Sequence, residues 1–216
     1  MLIVAGALML SDAGLTLVWQ EPVSAVYASI LQGRLGDDLR ELENRRPSAL
    51  DLQALQKLAT ERRRMAFLAR RLRSEAAAGD AVGRIRIPEI EASFVLVNGT
   101  DGEHLRKGPG IYDEVPFPGA PGTTAIAGHR TTYAAPFRRI DKLERGDEVV
   151  VQMPYGLFTY EVEKTRIVPP TRVSVIKRVE HDRLVLSACH PLYSAAQRIV
   201  VFARLIAAQA RGAARA

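Results

Sequence analysis

The stretch RLVLSACHPLYSAAQRIVVFARL, residues 183–205, decides the fold. Two apolar runs rich in β-branched residues, around Leu184 to Leu186 and Ile199 to Phe202, flank a centre of Pro, Ser, Ala and Gln. Short runs of this kind, bounded by turn residues, signal strands. The same texture extends outward over Gly83 to Ile206. Candidate strands are Gly83 to Ile87, Phe94 to Asn98, Thr123 to Ala127, Glu148 to Met153, Leu157 to Val168, Arg183 to Ala188 and Arg198 to Leu205. Between them KGPG (107–110), PGAPG (118–122) and RGD (145–147) punctuate the chain as turns. The pattern predicts an all-β barrel or sandwich.

The chain has 216 residues, 47% hydrophobic and 25% charged, enough for one domain with a core plus an appendage. A disulfide-stapled miniprotein, a collagen-like chain and a wholly disordered one are excluded. The formal charge of +6 raises the question of an acidic partner. The surplus is local, because Lys57, Arg62, Arg63, Arg64, Arg70, Arg71 and Arg73 face only Glu61 within that segment. The basic run lacks interleaved aromatics, and the chain shows no zinc-finger or RRM signature, so no nucleic-acid partner is expected.

Residues 2–19, LIVAGALMLSDAGLTLVW, form an apolar run about as long as a bilayer-crossing helix, interrupted by Asp12. Trp19 and Tyr27 follow where interfacial aromatics belong, and no basic region precedes the run as in a signal peptide. We expect a membrane anchor over residues 1–30, rather than a buried helix or a removed signal, with a short basic leader ahead of it and the remaining chain outside the cytoplasm. Residues 31–82 are expected to be a charged helical stalk. Leu52, Leu55, Leu58, Met65, Leu68 and Leu72 repeat at helical spacing, Pro47 breaks the run and Ser48 can cap a helix starting near Ala49. The basic face is either solvated or lies on an anionic membrane or wall surface. Residues 83–206 form the expected catalytic barrel and 207–216 a flexible tail.

Three residues stand at or near strand ends. His129 follows TTAIAG, Cys189 follows RLVLSA, and Arg198 opens RIVVFARL. A lone cysteine forms neither an internal disulfide nor a cysteine-based zinc site, leaving a buried apolar residue or a reactive thiol. Thiol, imidazole and guanidinium suffice for acyl transfer: a thiolate to attack, an acid to protonate the leaving amine and a fixed cation to stabilise the oxyanion. The bland alternative is a core cysteine, a loop histidine and a surface arginine.

The segments TAIAGHRTTYAAPF (124–137) and LVLSACHPLYSAAQRIVVFARL (184–205) closely resemble the histidine and cysteine-to-arginine motifs of the sortases, bacterial surface cysteine transpeptidases. RIRIPEIEASFVLVNGTD (84–101), LRKGPGIYDEVPFPGAPG (105–122) and LERGDEVVV (143–151) occur in the family's order. GHRTTY and CHPLYSAAQR look most like class E, the housekeeping type of high-GC Gram-positive actinobacteria. The resemblance implies a closed eight-stranded barrel, with Cys189 as nucleophile, His129 as general acid and base, and Arg198 as oxyanion stabiliser. It also implies a substrate carrying a Leu-Ala-x-Thr-Gly or Leu-Pro-x-Thr-Gly sorting signal, a cell-wall precursor amine as acceptor and no organic cofactor. Thr131, Tyr133 and Ala188 are the expected substrate-contact residues; Tyr133 either selects the Leu-Ala signal or packs on Phe137. The departure is Val185-Leu186-Ser187-Ala188-Cys189, where the family has Thr-Leu-x-Thr-Cys. His190, in extended backbone, is expected to point away from Cys189. His104 and His181 are expected to be solvated loop residues. Asp101, Glu103, Asp113 and Glu114 are expected to be turn acids rather than a calcium site, since they lack EF-hand spacing. Two other functions remain open: a thiol hydrolase on the same scaffold, and a noncatalytic membrane-surface scaffold.

Overall fold

Alternation of side chains along the β-branched runs builds a barrel wall. In Gly156–Val168, Phe158, Tyr160 and Val162 are buried while Leu157, Thr159 and Glu161 face outward, the period of two that a half-buried strand requires. A computed structural model describes residues 22–215 of the chain. Eight strands form, β1 (Ala81–Ile87), β2 (Ala92–Asn98), β3 (Gly110–Ile111), β4 (Thr123–Ala127), β5 (Glu148–Met153), β6 (Gly156–Val168), β7 (Arg183–His190) and β8 (Gln197–Ala210). They close in the order β1-β2-β3-β4-β7-β8-β6-β5. The ring is completed where Ile85 of β1 faces Val151 of β5. The pairs β2/β3 and β4/β7 are parallel and the others antiparallel. Phe117, Phe137, Phe158, Ile85, Ile87 and Leu186 are among the side chains filling the interior.

The seven expected strands all form; β1, β2, β6 and β7 begin or end one or two residues beyond the expected bounds, and β8 runs five residues past Leu205. The eighth, β3, is two residues long and has no alternating pattern to betray it. It joins the ring through main-chain pairing, parallel to Val97 and Asn98 and antiparallel to Ile126 and Ala127.

The expected anchor run at residues 2–19 lies outside the described residues. Among the described residues, no helix is long and apolar enough to cross a membrane. The expected stalk forms helices α1 (Pro22–Asn44), α2 (Ala49–Gln56) and α3 (Glu61–Glu75). Ser48 and Thr60 cap α2 and α3, their hydroxyls accepting from the N–H groups of Asp51 and Arg63. These helices do not stand off as a spacer. Met65, Ala69 and Leu72 of α3 are buried in the core, while Leu35 and Leu39 of α1 pack on Ala81, Val95 and Val97. The amphipathic stripe is spent on the barrel. Gln32 completes the join: its Oε1 accepts from Val95 N–H at 2.7 Å and its Nε2 donates to Lys107 O at 2.8 Å, satisfying main-chain groups beside β2.

Much of the basic surplus is likewise engaged within the chain. Arg62 pairs with Asp182, Arg71 with Asp51 and Glu75, and Arg73 donates to Asn98 and the Asp113 carbonyl. Nor is the C-terminal segment a frayed tail. β8 runs on to Ala210 beside β6, Ala214 is fully buried, and Arg64 donates to the Ala214 carbonyl at 2.9 Å.

Candidate active site

Strand pairing sets the three segments that carry the chemical side chains next to one another. Cys189 on β7 stands directly opposite Arg198 on β8. Opposed residues of an antiparallel pair project from the same face with Cβ atoms about 4.5–5.5 Å apart. On the other side of β7, parallel β4 sets Ala127 against Ser187, and Gly128 N–H donates to the Ser187 carbonyl at 3.1 Å. His129 follows two residues beyond that last pair, in the loop that leaves β4 alongside the end of β7. Cys189 thus stands opposite Arg198 on one side of β7, and the strand that leads to His129 runs along the other.

The face is fixed by what lies under the neighbouring residues. Leu184, Leu186 and Ala188 are buried in the barrel core, so alternation turns Cys189 outward, where it is half-buried. A hollow of about 330 Å³ opens there, lined by Arg130, Thr131, Cys189, Pro191, Tyr193 and Ser194. A larger one of about 680 Å³ lies around His181 and Asp182, just before the start of β7 and far along the strand from the thiol.

The loop after β4 is tightly built. Gly128 must lack a side chain, because a Cβ there would come within 2.6 Å of the buried Phe137 ring. Phe137 N–H donates to the His129 carbonyl at 3.0 Å. Tyr133, Ala134 and Ala135 take φ values of 51°, 59° and 43°, three successive left-handed residues that cost of order 1–2 kcal/mol each. Ser24, on the first turn of α1, steadies this turn: its Oγ accepts from Tyr133 N–H at 3.0 Å. The Tyr133 ring lies 5.2 Å from the His129 ring, and the Arg106 guanidinium sits 5.8 Å from the Tyr133 centroid.

His129 is held below the ordinary histidine pKa, first by burial and second by the nearby Arg106 cation. Its Nε2 is buried with no hydrogen-bond partner among the described residues. Arg198 donates through Nη1 to the Ala195 and Gln197 carbonyls, both at 3.0 Å, which fixes the guanidinium at the lip of the β7–β8 loop. Such a set can attack a carbonyl, protonate a leaving amine and stabilise an oxyanion.

Of the expected substrate contacts, Thr131 lines the hollow and the Tyr133 ring lies tilted beside that of His129. Ala188 does not share the site face: it is buried in the core. Ser187 shares the parity of Cys189, and its hydroxyl is bonded to Tyr112 Oη at 2.9 Å. His104 is packed, contrary to a solvated reading, with Nδ1 2.9 Å from Asp101 and its ring against Gly79 and Gly99. His181 is partly exposed, with Nε2 3.9 Å from Glu163. Among the acids, Asp101 caps α4 (Gly102–Lys107), Glu103 pairs with Arg106 and Asp113 with Arg73. No group of three or more metal-capable side chains gathers among the described residues.

Sequence reasoning missed Arg130. It follows His129 directly, yet its side chain is only 3% exposed, held by the Arg138 and Cys189 carbonyls, Asp141 and His190, a set that leaves no mark in a sequence.

A sortase-domain family model matches residues 85–206, more than half the chain. The chain belongs to the sortase family. It is 36% identical over 132 residues to Sortase D of Bacillus subtilis, covering 59% of this chain and 65% of that relative. Among solved structures, sortase E from Streptomyces avermitilis is 32% identical with a TM-score of 0.57, covering 62% of this chain and 93% of that one. The Clostridium perfringens Sortase D5 transpeptidase superposes with a TM-score of 0.65 at 22% identity, over 82% of this chain and 99% of that one, which speaks for the fold. Family membership is therefore plain, whereas the class E resemblance is shared with D-type relatives. The chain spans just under two thirds of the length of the Bacillus relative.

Proposed function

We propose that this sortase is a cysteine transpeptidase acting on proteins with a C-terminal Leu-Ala-x-Thr-Gly or Leu-Pro-x-Thr-Gly sorting signal. The observation that supports the reading is the strand pairing that sets Cys189 opposite Arg198 and runs β4, the strand leading to His129, along the other side of β7. The Cys189 thiolate attacks the Thr carbonyl carbon, and the electron pair of the C=O bond moves onto oxygen beside the Arg198 guanidinium. As the oxyanion collapses, the Thr–Gly C–N bond breaks and protonated His129 delivers its proton to the departing Gly amine. A thioester remains on Cys189. An acceptor amine then attacks it, His129 takes the amine proton, and the thiolate leaves as the new amide forms.

Because burial and Arg106 favour neutral His129, the imidazolium needed for the first step is a minority form at neutral pH. An N-terminal membrane anchor would confine enzyme, substrate and a lipid-linked acceptor to one plane, raising their effective concentration. The single-pass, extracytoplasmic placement belongs to the same proposal.

The test offers sorting-signal peptides of both types with and without a small amine, and separates the products by chromatography. The transpeptidase yields an amide product that grows with amine concentration, and Cys189→Ala yields none. Product that is always hydrolysed would instead make the chain a thiol hydrolase, and activity surviving in Cys189→Ala would remove the thiol from the chemistry altogether.

A further inference from the structure

Arg130 joins the two halves of the site. Its guanidinium is almost wholly removed from solvent, and burying a cation is costly unless it is paired and hydrogen-bonded. Nη2 pairs with Asp141 Oδ1 at 2.7 Å and donates to the Arg138 carbonyl at 3.4 Å, as does Nε. Both residues lie on the chain that follows the His129 loop. Nη1 points the other way, to the end of β7, 3.4 Å from the Cys189 carbonyl and 3.3 Å from His190 Nδ1. One planar fork therefore spans from the imidazole's loop to the main chain of the thiol residue.

The contact with His190 has a chemical consequence. A guanidinium has donors and no acceptor, so the nitrogen it faces must offer a lone pair. His190 Nδ1 is then the acceptor, and the single ring proton lies on Nε2. Neither nitrogen is left to take a proton from Cys189, although this imidazole belongs to the next residue.

We propose that Arg130 is the positioning residue that ties the His129 loop to the main chain of Cys189 and locks His190 in its Nε2–H tautomer, so that only one of two neighbouring imidazoles serves the thiol. The part concerning turnover rests on the transpeptidase reading; the part concerning the tautomer does not. Lysine cannot replace Arg130, because a single ammonium cannot hold Asp141, two carbonyls and a ring nitrogen in one plane. A displacement of about 1 Å between reacting groups costs on the order of 100-fold in rate.

The experiment uses the purified full chain and its Arg130→Lys, Arg130→Met and Asp141→Asn variants, with folding checked by circular dichroism. Peptide turnover is measured alongside imidazole nitrogen NMR, the His190 signal being identified by its loss in His190→Gln. We expect the wild type to show an unprotonated Nδ1 on His190. Folded Arg130→Lys and Arg130→Met should lose kcat by about 100-fold with KM little changed, and their His190 signal should move toward a tautomer mixture. Folded variants with wild-type kcat and an unmoved His190 signal overturn the proposal. If both Arg130 variants fail to fold, Asp141→Asn decides, since that carboxylate is partly exposed. A lowered kcat with a shifted His190 signal supports the proposal, and no change in either overturns it. A wild type that turns over no sorting peptide removes the functional reading, and the wild-type His190 signal still decides the tautomer: a proton on Nδ1 overturns it.

Discussion

His129 binds its proton less readily than a free histidine, since burial removes water from the imidazolium and Arg106 adds a like charge. Its NMR titration midpoint should lie below the ordinary 6.5. Arg106→Met should raise the midpoint only part-way, because burial is the larger cause; a midpoint at or above the ordinary value would contradict the account. The same shift bears on stability. The unfolded chain binds this proton more tightly than the folded one, so His129 contributes a loss of stability that begins as pH falls through about 6.5 and is complete below the folded midpoint. Denaturant midpoints measured across that range should fall with pH, and this component should vanish in His129→Gln. At this scale the sequence was legible for residues whose chemistry is rare, such as a lone thiol after a strand. It was silent on Arg130 among 25 arginines, because what singles it out is burial among partners that the fold brings together. Ala188 misled for the opposite reason: its place beside Cys189 suggested contact, while strand parity turns it inward.

Among the elements, α3 and α1 are parts of the barrel's packing. Met65 is 3% exposed within the main core, so Met65→Ala should cost about 2–5 kcal/mol in urea unfolding. Near-zero loss would return α3 to the role of a solvated spacer. Gln32→Leu leaves the Val95 amide and neighbouring carbonyls without their partner, and should cost about 1–3 kcal/mol in the same measurement. Strands with repeated β-branched residues could be read from the chain, as could the Ser48 cap. β3 could not, since two residues carry no period, and β8 beyond Leu205 could not, since IAAQA has the composition of a frayed end or a helix. An amphipathic stripe has one signature whether its partner is lipid, another helix or a barrel wall. Its period reveals a buried face without revealing what buries it.

For the whole molecule, helices and barrel share a core, and a net charge of +6 describes a surface already partly paired with itself. A chain beginning at Asp80, without α1 to α3, should unfold at a clearly lower urea concentration than the full chain; equal midpoints would mean that the helices are an independent stalk. The helices also reach the site, since Ser24 holds the strained turn beside His129. Fold, helices and loop together bring the end of β7 with Cys189 between β8, which carries Arg198, and β4, which leads to His129, and the account stands on that thiol carrying the substrate. Intact-protein mass spectrometry after mixing with a Leu-Ala-x-Thr-Gly peptide, followed by fragment mapping, tests it most directly. The account predicts an added mass equal to the peptide up to Thr, lying on Cys189 as a thioester and discharged by added amine. No adduct with either the Leu-Ala or the Leu-Pro peptide, or an adduct that persists in Cys189→Ala, would contradict it.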